Sequence, residues 1–222
     1  MLLYHGTSAK NLSQILASGI RPRDPKEKGH WTNCPSRTDR VYMTECYSQY
    51  FAFCCDPKSS VIFEIDTDML DSKLMGTDED IVAQIIAQRT GQNLIKVTKA
   101  LDVNQYDDRW ESLLSAMGNC SYKGVIPPEA IRRYVIINWK ENLFAELNSW
   151  DTTVSILNYQ FLKATHQRVQ GWLFGDEKDP FSEEKIMATR LLAQKLQKVN
   201  RKGLTVVENK KYAQKEKFGV SY

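Results

Sequence analysis

The sequence predicts an α+β fold: a mixed α/β domain over residues 1–142, followed by a mainly helical, basic extension over residues 143–222. Three observations point that way. Short apolar runs of strand character alternate with helical periodicity as far as Trp139. Beyond that point the pattern becomes helical almost throughout. The 222 residues, 42% of them hydrophobic, suffice for one full core with an appendage.

Each element has its local reason. Residues 2–4, Leu-Leu-Tyr, read as a strand that runs into His5-Gly6-Thr7. Ser8 is a good helix N-cap, Leu12, Ile15 and Leu16 share a helical face, and Gly19 suits the residue after the helix. Residues 21–40 are polar, hold three prolines and show no period, so they read as a long functional loop. RVYMTE (40–45) reads as a strand, CYSQYFAFCC (46–55) as a short aromatic helix, and SSVIFEIDTDML (59–70) as a strand with a turn after it. Thr77 is expected to cap a helix reaching Gly91, with Ile81, Val82, Ile85 and Ile86 inward. A second helix is expected over 105–117, before Gly118. IPPEAIRRYVIINW reads as a Pro-Pro turn leading to a strand over 134–139. Helices are expected over 151–174 and 182–200, then a short strand, LTVVE.

Composition narrows the function classes. Charged residues make up 26% of the chain, which does not suit a disordered segment. No run approaches the roughly 18 apolar residues of a membrane span, and no secretory leader is expected. The five cysteines (Cys34, Cys46, Cys54, Cys55 and Cys120) form no CxxC and meet no histidine at zinc spacing. Reduced thiols, a cytoplasmic location and no metal are therefore expected. Net charge is +3 but uneven: residues 185–222 carry ten Lys and Arg against two Asp and Glu, a balance of +8. Such a tail reads either as a solvated lysine-rich helix or as a contact for RNA, DNA or another polyanion.

Three patterns carry candidate chemistry. His5-Gly6-Thr7 ends a strand where a ligand can touch backbone and imidazole. Tyr42 lies on a strand leading into the helix with Tyr47, Tyr50, Phe51 and Phe53, whose rings can stack on a flat group. The third is the turn YKGVIPPEAIRRY. Taken singly, each also reads as filler, core or loop.

In this order the three resemble the ADP-ribosyltransferase superfamily, in its histidine-tyrosine branch. LYHGTSAKNLSQILASGI is similar to that branch's opening, RVYMTECYSQYFAF to its tyrosine-bearing second motif, VIFEIDTDML to the strand that follows, and IPPEAIRRYVII to the approach to its closing strand. The resemblance spans residues 2–139. It implies a split, mixed β-sheet core with flanking helices and NAD as co-substrate. It also implies that His5 bonds a ribose hydroxyl, that the Gly6 backbone holds the carboxamide beside Thr7, and that Tyr42 packs on the nicotinamide side. Thr44 would then contact ribose, and the stacking aromatic falls on Phe53 or, with a small shift, on Tyr50. The implied reaction is departure of nicotinamide from its ribose through an oxocarbenium-like transition state.

The third catalytic residue departs from the family pattern. Its glutamate falls on Ser121 or Tyr122, neither an acid. Glu129 is the nearest acid and is carried as the candidate, although the pattern puts no catalysis there; Glu45 and Glu111 are weaker ones. The missing glutamate implies mono-ADP-ribosylation of a macromolecular acceptor, with nucleic acid slightly ahead of protein. Compact members include toxins, so a conflict effector with an inhibitor or antitoxin partner is a further expectation. One alternative is an NAD-dependent RNA 2′-phosphotransferase, with Arg37 and Arg40 as phosphate ligands, although Tyr42 stands where that branch has a histidine. The other is a catalytically silent NAD or ADP-ribose binding module. His30 can line the cleft, and His166 reads as structural.

Overall fold

The structure is a computed structural model that describes residues 1–26, 37–142, 156–178 and 201–212. The predicted helix over 182–200, His30, Cys34 and the middle half of the polar loop, residues 27–36, lie outside those residues. The chain is α+β, built on one seven-stranded sheet. Its strands are β1 (Leu2–Ser8), β2 (Arg40–Thr44), β3 (Ser59–Asp66), β4 (Met75–Gly76), β5 (Asn119–Lys123), β6 (Ile131–Asn138) and β7 (Leu204–Glu208). They stand in the order β4-β5-β2-β1-β3-β6-β7.

The expected mixed sheet is corrected: every described pairing is antiparallel. The reason lies in one crossover. β2 and β3 both run opposite to β1, and β1 lies between them. The connection from β2 to β3 therefore passes over β1, and helix α2 (Ser48–Cys55) is that connection. Strands of like direction are always separated by one of opposite direction.

Pairing along β1 is lopsided. Seven residue pairs join it to β3, from Leu2 opposite Asp66 to Ser8 opposite Ser60. A single pair, Tyr4 with Thr44, joins it to β2. β2 pairs fully with β5 instead, from Arg40 opposite Lys123 to Thr44 opposite Asn119. The sheet consequently parts between β1 and β2 just past Tyr4.

Each face of the sheet carries its own core. On one face, Leu3, Val41, Met43, Val61, Phe63, Ile65 and Cys120 meet Ile15 of α1 (Leu12–Ser18) and Leu114, which lies in a later helix. On the other, Ile62, Val135, Ile137 and Trp139 meet Ala52 of α2 and Val169, Trp172, Leu173 and Phe174. β3 is covered on both faces, which explains its nearly unbroken apolar run. Gly19 ends α1 at φ +88°, where a side chain would be strained.

Several local expectations shift. Helix α3 spans Glu79–Thr90 and is capped by Asp78, whose carboxylate accepts the Asp80 N–H at 3.0 Å; Thr77 is not the cap. Ile81 and Val82 are buried, while Ile85 and Ile86 are half-buried. A helix not foreseen, α4 (Leu94–Ala100), is capped by Asn93. The expected 105–117 helix divides into a 3₁₀ segment, Val103–Arg109, and α5 (Trp110–Met117). β6 begins at Ile131, three residues before the expected Tyr134. Helix α6 (Ile156–Phe174) falls within the expected 151–174. LTVVE is β7, the sheet's edge strand on β6, so the C-terminal extension adds to the N-terminal sheet.

Candidate functional site

The parting of β1 from β2 opens a cavity of about 160 Å³. Tyr4, His5, Gly6, Tyr42, Met43, Thr44, Phe51, Cys54, Cys55, Asp78, Asp80 and Asn119 line it. The His-Gly pair and Tyr42, distant in sequence, therefore share one wall-to-wall space.

His5 bridges the split. Its Nδ1 lies 2.8 Å from the Tyr42 carbonyl oxygen. A carbonyl only accepts, so Nδ1 carries the proton and Nε2 is left as an acceptor. Burial lowers the imidazole below the ordinary histidine value, against a smaller opposing effect of that same bond. The ring is therefore neutral at pH 7, with a lone pair available to a ligand hydroxyl.

Tyr42 is held as a donor. Its phenol donates to Oε1 of Glu79 in a short hydrogen bond. It also accepts the Arg37 backbone N–H at 3.0 Å. Burial first, then the charges of Glu79 and Asp78, raise the phenol far above its ordinary value, so it stays protonated. Glu79 is buried, and among the described residues its second oxygen, Oε2, has no hydrogen-bond partner.

Gly6 is required here by packing. A Cβ at this position would lie 2.3 Å from the Ser48 carbonyl oxygen and 2.7 Å from the Ala52 nitrogen. These are backbone atoms of the crossover helix and cannot swing aside. Gly6→Ala is expected to destabilise the chain by about 1–3 kcal/mol through overpacking, read as a lower denaturant midpoint at unchanged slope.

The acids at the start of α3 form the polar end of the cavity. Asp78 is raised well above its ordinary value by burial and by Glu79 and Asp80. Asp80 is pushed up to about 6 from 3.8, by burial first and then by Glu79. Between about pH 4 and 6 the folded chain keeps an Asp80 proton that the unfolded chain has released. Stability therefore falls as pH rises across that window, and the cost is complete above it. Asp80→Asn is expected to raise thermal stability at pH 7.5 by roughly 1–2 kcal/mol and to leave it unchanged near pH 4. Thermal melts of both proteins at the two pH values check this.

Other expected residues are placed differently. Thr44 lines the cavity, but its hydroxyl donates to the Gly118 carbonyl at 2.8 Å and accepts the N–H groups of Cys46 and Tyr47. It ties β2 to α2 and is not free for a ribose. Thr7 accepts from Asn11 Nδ2 at 3.1 Å and is not among the lining residues. Phe53 packs edge-on against Trp139 at 5.1 Å, and Tyr50 sits edge-on to Phe51 at 5.4 Å; neither lines the cavity. The aromatic walls are Tyr4, Tyr42 and Phe51. Phe51, Cys54 and Cys55 have i, i+3, i+4 spacing, the one sequence signal that marks this face of α2. Burial pushes the Cys55 thiol up to about 11 and raises Cys54 too, so neither offers a thiolate at neutral pH.

The acid candidates fare likewise. Ser121 faces Tyr42 across β2 and β5, with its hydroxyl donating to the Thr77 carbonyl at 2.6 Å. Tyr122 belongs to the core. Glu129 lies in the Pro128–Ala130 turn before β6 and does not line the cavity. Glu45 pairs with Lys163 at 2.6 Å, and Glu111 is exposed on α5. The acid beside Tyr42 is Glu79, which sequence reasoning missed.

His166 is buried against the Tyr47 ring and 3.1 Å from Gln49 Nε2, and burial lowers it to about 4. Arg40 is buried and bonded to Asp107 at 2.7 and 2.9 Å. Arg37 forks onto Asp39. Among the described residues no group of His, Cys, Asp and Glu can hold a metal ion, and no helix is long and apolar enough to cross a membrane. No protein-family model matches the chain, and no curated protein matches it in sequence.

Proposed function

We propose that this chain is an NAD-dependent mono-ADP-ribosyltransferase with an ADP-ribosyltransferase-like fold. The observation that carries the reading is the meeting of His5 and Tyr42 in one cavity at the point where the sheet parts, with a carboxylate bonded to the tyrosine. The residues suit the nicotinamide end of NAD. His5 Nε2 is an acceptor for a ribose hydroxyl, and Tyr4, Tyr42 and Phe51 offer flat apolar walls for a pyridine ring. NAD supplies the activated glycosidic bond and a stable leaving group.

The chain's own groups then have separable roles. His5 orients the ribose, and its bond to the Tyr42 carbonyl sets the ring's angle. Tyr42 holds the ring's position and is itself held by Glu79. Asp80, ionised above about pH 6, places negative charge where positive charge develops on the sugar. Asp80, with its raised value, is suited to take a proton near neutral pH. Two reactive carboxylates near a sugar carbon serve the same chemistry in other glycosyl transfers.

Less supports the 2′-phosphotransferase reading, because Arg40 is buried on Asp107 and Arg37 is paired with Asp39 at the surface. The test is incubation with NAD labelled in its adenylate half, plus cell protein, RNA or DNA, with nicotinamide release measured alongside. Label in one pool with matching nicotinamide release supports the reading. Binding of NAD without release, whatever the acceptor, supports a silent binding module instead. Release of ADP-ribose 1″,2″-cyclic phosphate from a 2′-phosphorylated RNA revives the phosphotransferase.

A further inference from the structure

Arg40 keeps a positive charge buried two residues from Tyr42, on the same face of β2. Taking a guanidinium out of water is costly, and replacing a buried ion pair by apolar residues of similar volume is often neutral or stabilising. What the guanidinium adds is direction, through a rigid planar fork of N–H donors. Here the fork reaches three other segments. Nη1 donates to Asp107 Oδ1 at 2.7 Å and to Ser121 Oγ at 3.1 Å, with the Thr77 carbonyl at 3.4 Å. Nη2 donates to Asn104 Oδ1 at 2.8 Å and to Asp107 Oδ2 at 2.9 Å.

These bonds converge on one peptide. The Thr77 N–H donates to Asp107 Oδ1 at 3.1 Å, and the Thr77 carbonyl accepts the Ser121 hydroxyl at 2.6 Å. Ser121, where the family resemblance put an acid, serves this peptide instead. The cradle is tight around the preceding residue: a Cβ on Gly76 would lie 2.5 Å from Asp107 Oδ1 and 2.6 Å from Arg40 Nη1. Lys123 Nζ, 2.6 Å from Asp107 Oδ2, also holds that carboxylate. Thr77 leads directly into Asp78, the cap of α3, and Glu79, which bonds the Tyr42 phenol. A closed circuit results. It runs from Arg40 to Tyr42 along β2, from Tyr42 to Glu79 by a hydrogen bond, and from Glu79 to Thr77 along the chain. Asp107 and Ser121 then return it to Arg40. Neither Arg40 nor Asp107 lines the cavity.

Resting on the transferase reading above, we propose that Arg40 and Asp107 are a positioning pair: they fix the Thr77 peptide and so hold the Glu79 carboxylate on Tyr42. They touch no part of the dinucleotide. Without the pair the start of α3 can shift, and a misplacement of about 1 Å can lower turnover by about 10²-fold.

Two variants separate positioning from stability. Arg40→Met leaves the Asp107 carboxylate with Lys123 alone as its ion partner and is expected to lower the urea midpoint. Arg40→Met/Asp107→Leu leaves neither charge of the pair buried alone and is expected to regain most of that midpoint. Turnover is expected not to follow. With labelled NAD, both variants are expected to lose roughly 10–10²-fold in kcat for nicotinamide release. Their KM for NAD is expected to stay within about twofold of wild type. A second readout needs no turnover. Fluorotyrosine placed at position 42 reports the phenol's bond to Glu79 through its fluorine NMR shift, with Glu79→Gln as the reference for an altered bond. The double variant is expected to move the signal toward that reference. A double variant with wild-type kcat overturns the proposal, as does a raised KM at unchanged kcat, because the pair then serves binding. A fluorine signal that stays at the wild-type position overturns it whatever the rate does. A moved signal in a chain whose wild type releases no nicotinamide with protein, RNA or DNA overturns the transferase reading and leaves the hold on Glu79 standing.

Discussion

His5→Ala is expected to lower NAD-dependent labelling by at least about 10²-fold, and Tyr42→Ala to do the same, within the range seen when one preorganised polar group is removed. Both follow from one bond. His5 Nδ1 and the Tyr42 carbonyl meet at 2.8 Å across a pair of strands that are otherwise joined, on this side, only at Tyr4 and Thr44. Removing the imidazole takes away the bridge to the Tyr42 carbonyl and, on the proposed transferase reading, the ribose acceptor with it. Removing the Tyr42 side chain takes away a cavity wall and leaves Glu79 buried with neither oxygen bonded to a phenol. Tyr42→Phe separates the two effects. It keeps the wall, so NAD binding is expected to persist, while Glu79 Oε1 keeps only the Arg37 backbone N–H at 3.4 Å and turnover is expected to fall. Labelling rate and NAD affinity, measured side by side on the three variants, check this. Wild-type labelling in both alanine variants would sink the site.

Glu64→Ala is expected to destabilise the fold by about 3–5 kcal/mol, the usual cost of stripping one partner from a buried ion pair. Glu64 is fully buried on β3, directly opposite Arg133 on β6. The guanidinium forks onto it at 2.8 Å through both Nε and Nη2. Arg133 also reaches Asp176, just past α6, and lies 4.9 Å over the Phe174 ring. The Asp176 carboxylate is half-exposed, so its share is smaller. The cluster thus anchors the end of α6 to the sheet. Without Glu64, Arg133 keeps its charge in the core with one wet partner. Urea denaturation of Glu64→Ala and of the double variant Glu64→Leu/Arg133→Met tests the mechanism. The double variant is expected to recover much of the loss, because it leaves no charge buried alone. The Tyr4 hydroxyl donates to Glu64 at 3.3 Å, so loss of this anchor also reaches the cavity wall.

The raised Asp78 and Asp80 fit a site that trades stability for chemistry. A helix start favours acidic residues through its dipole, yet three in succession, partly buried, repel one another. Asp78 caps α3 and Glu79 bonds Tyr42, and Asp80→Asn tests the cost of the third carboxyl directly.

The longer strands and helices were legible because they rest on local periodicity, whereas the short β4, β5 and α4 were not. VIFEI is apolar on both sides of its alternation, and β3 is covered on both faces. RVYMT and LTVVE form strands as their residues suggest. Helix ends were less legible. Asp78 displaced Thr77 as the cap because both are good caps and Thr77 is drawn into the network of Arg40, Asp107 and Ser121. That the His5 and Tyr42 stretches lie side by side is what the family resemblance implied, and both residues line one cavity.

What the sequence determined by itself was many of the strands and helices, though not β4, β5 or α4, together with the polar character of the His5 junction and the surplus of basic charge near the C-terminus. These depend on spacing along the chain, which any reading of the residues preserves. The tertiary structure alone decided which acid stands beside Tyr42, which aromatic rings form the walls, and whether Arg40 is free. Those depend on one crossover. α2 passes over β1 at Gly6, which turns Phe51 toward the cavity and Phe53 toward Trp139. The run β2–β5–β4 then carries the start of α3 up to Tyr42, thirty-seven residues away. Distances of that kind are set by how strands are ordered across a sheet, and no local pattern encodes that order.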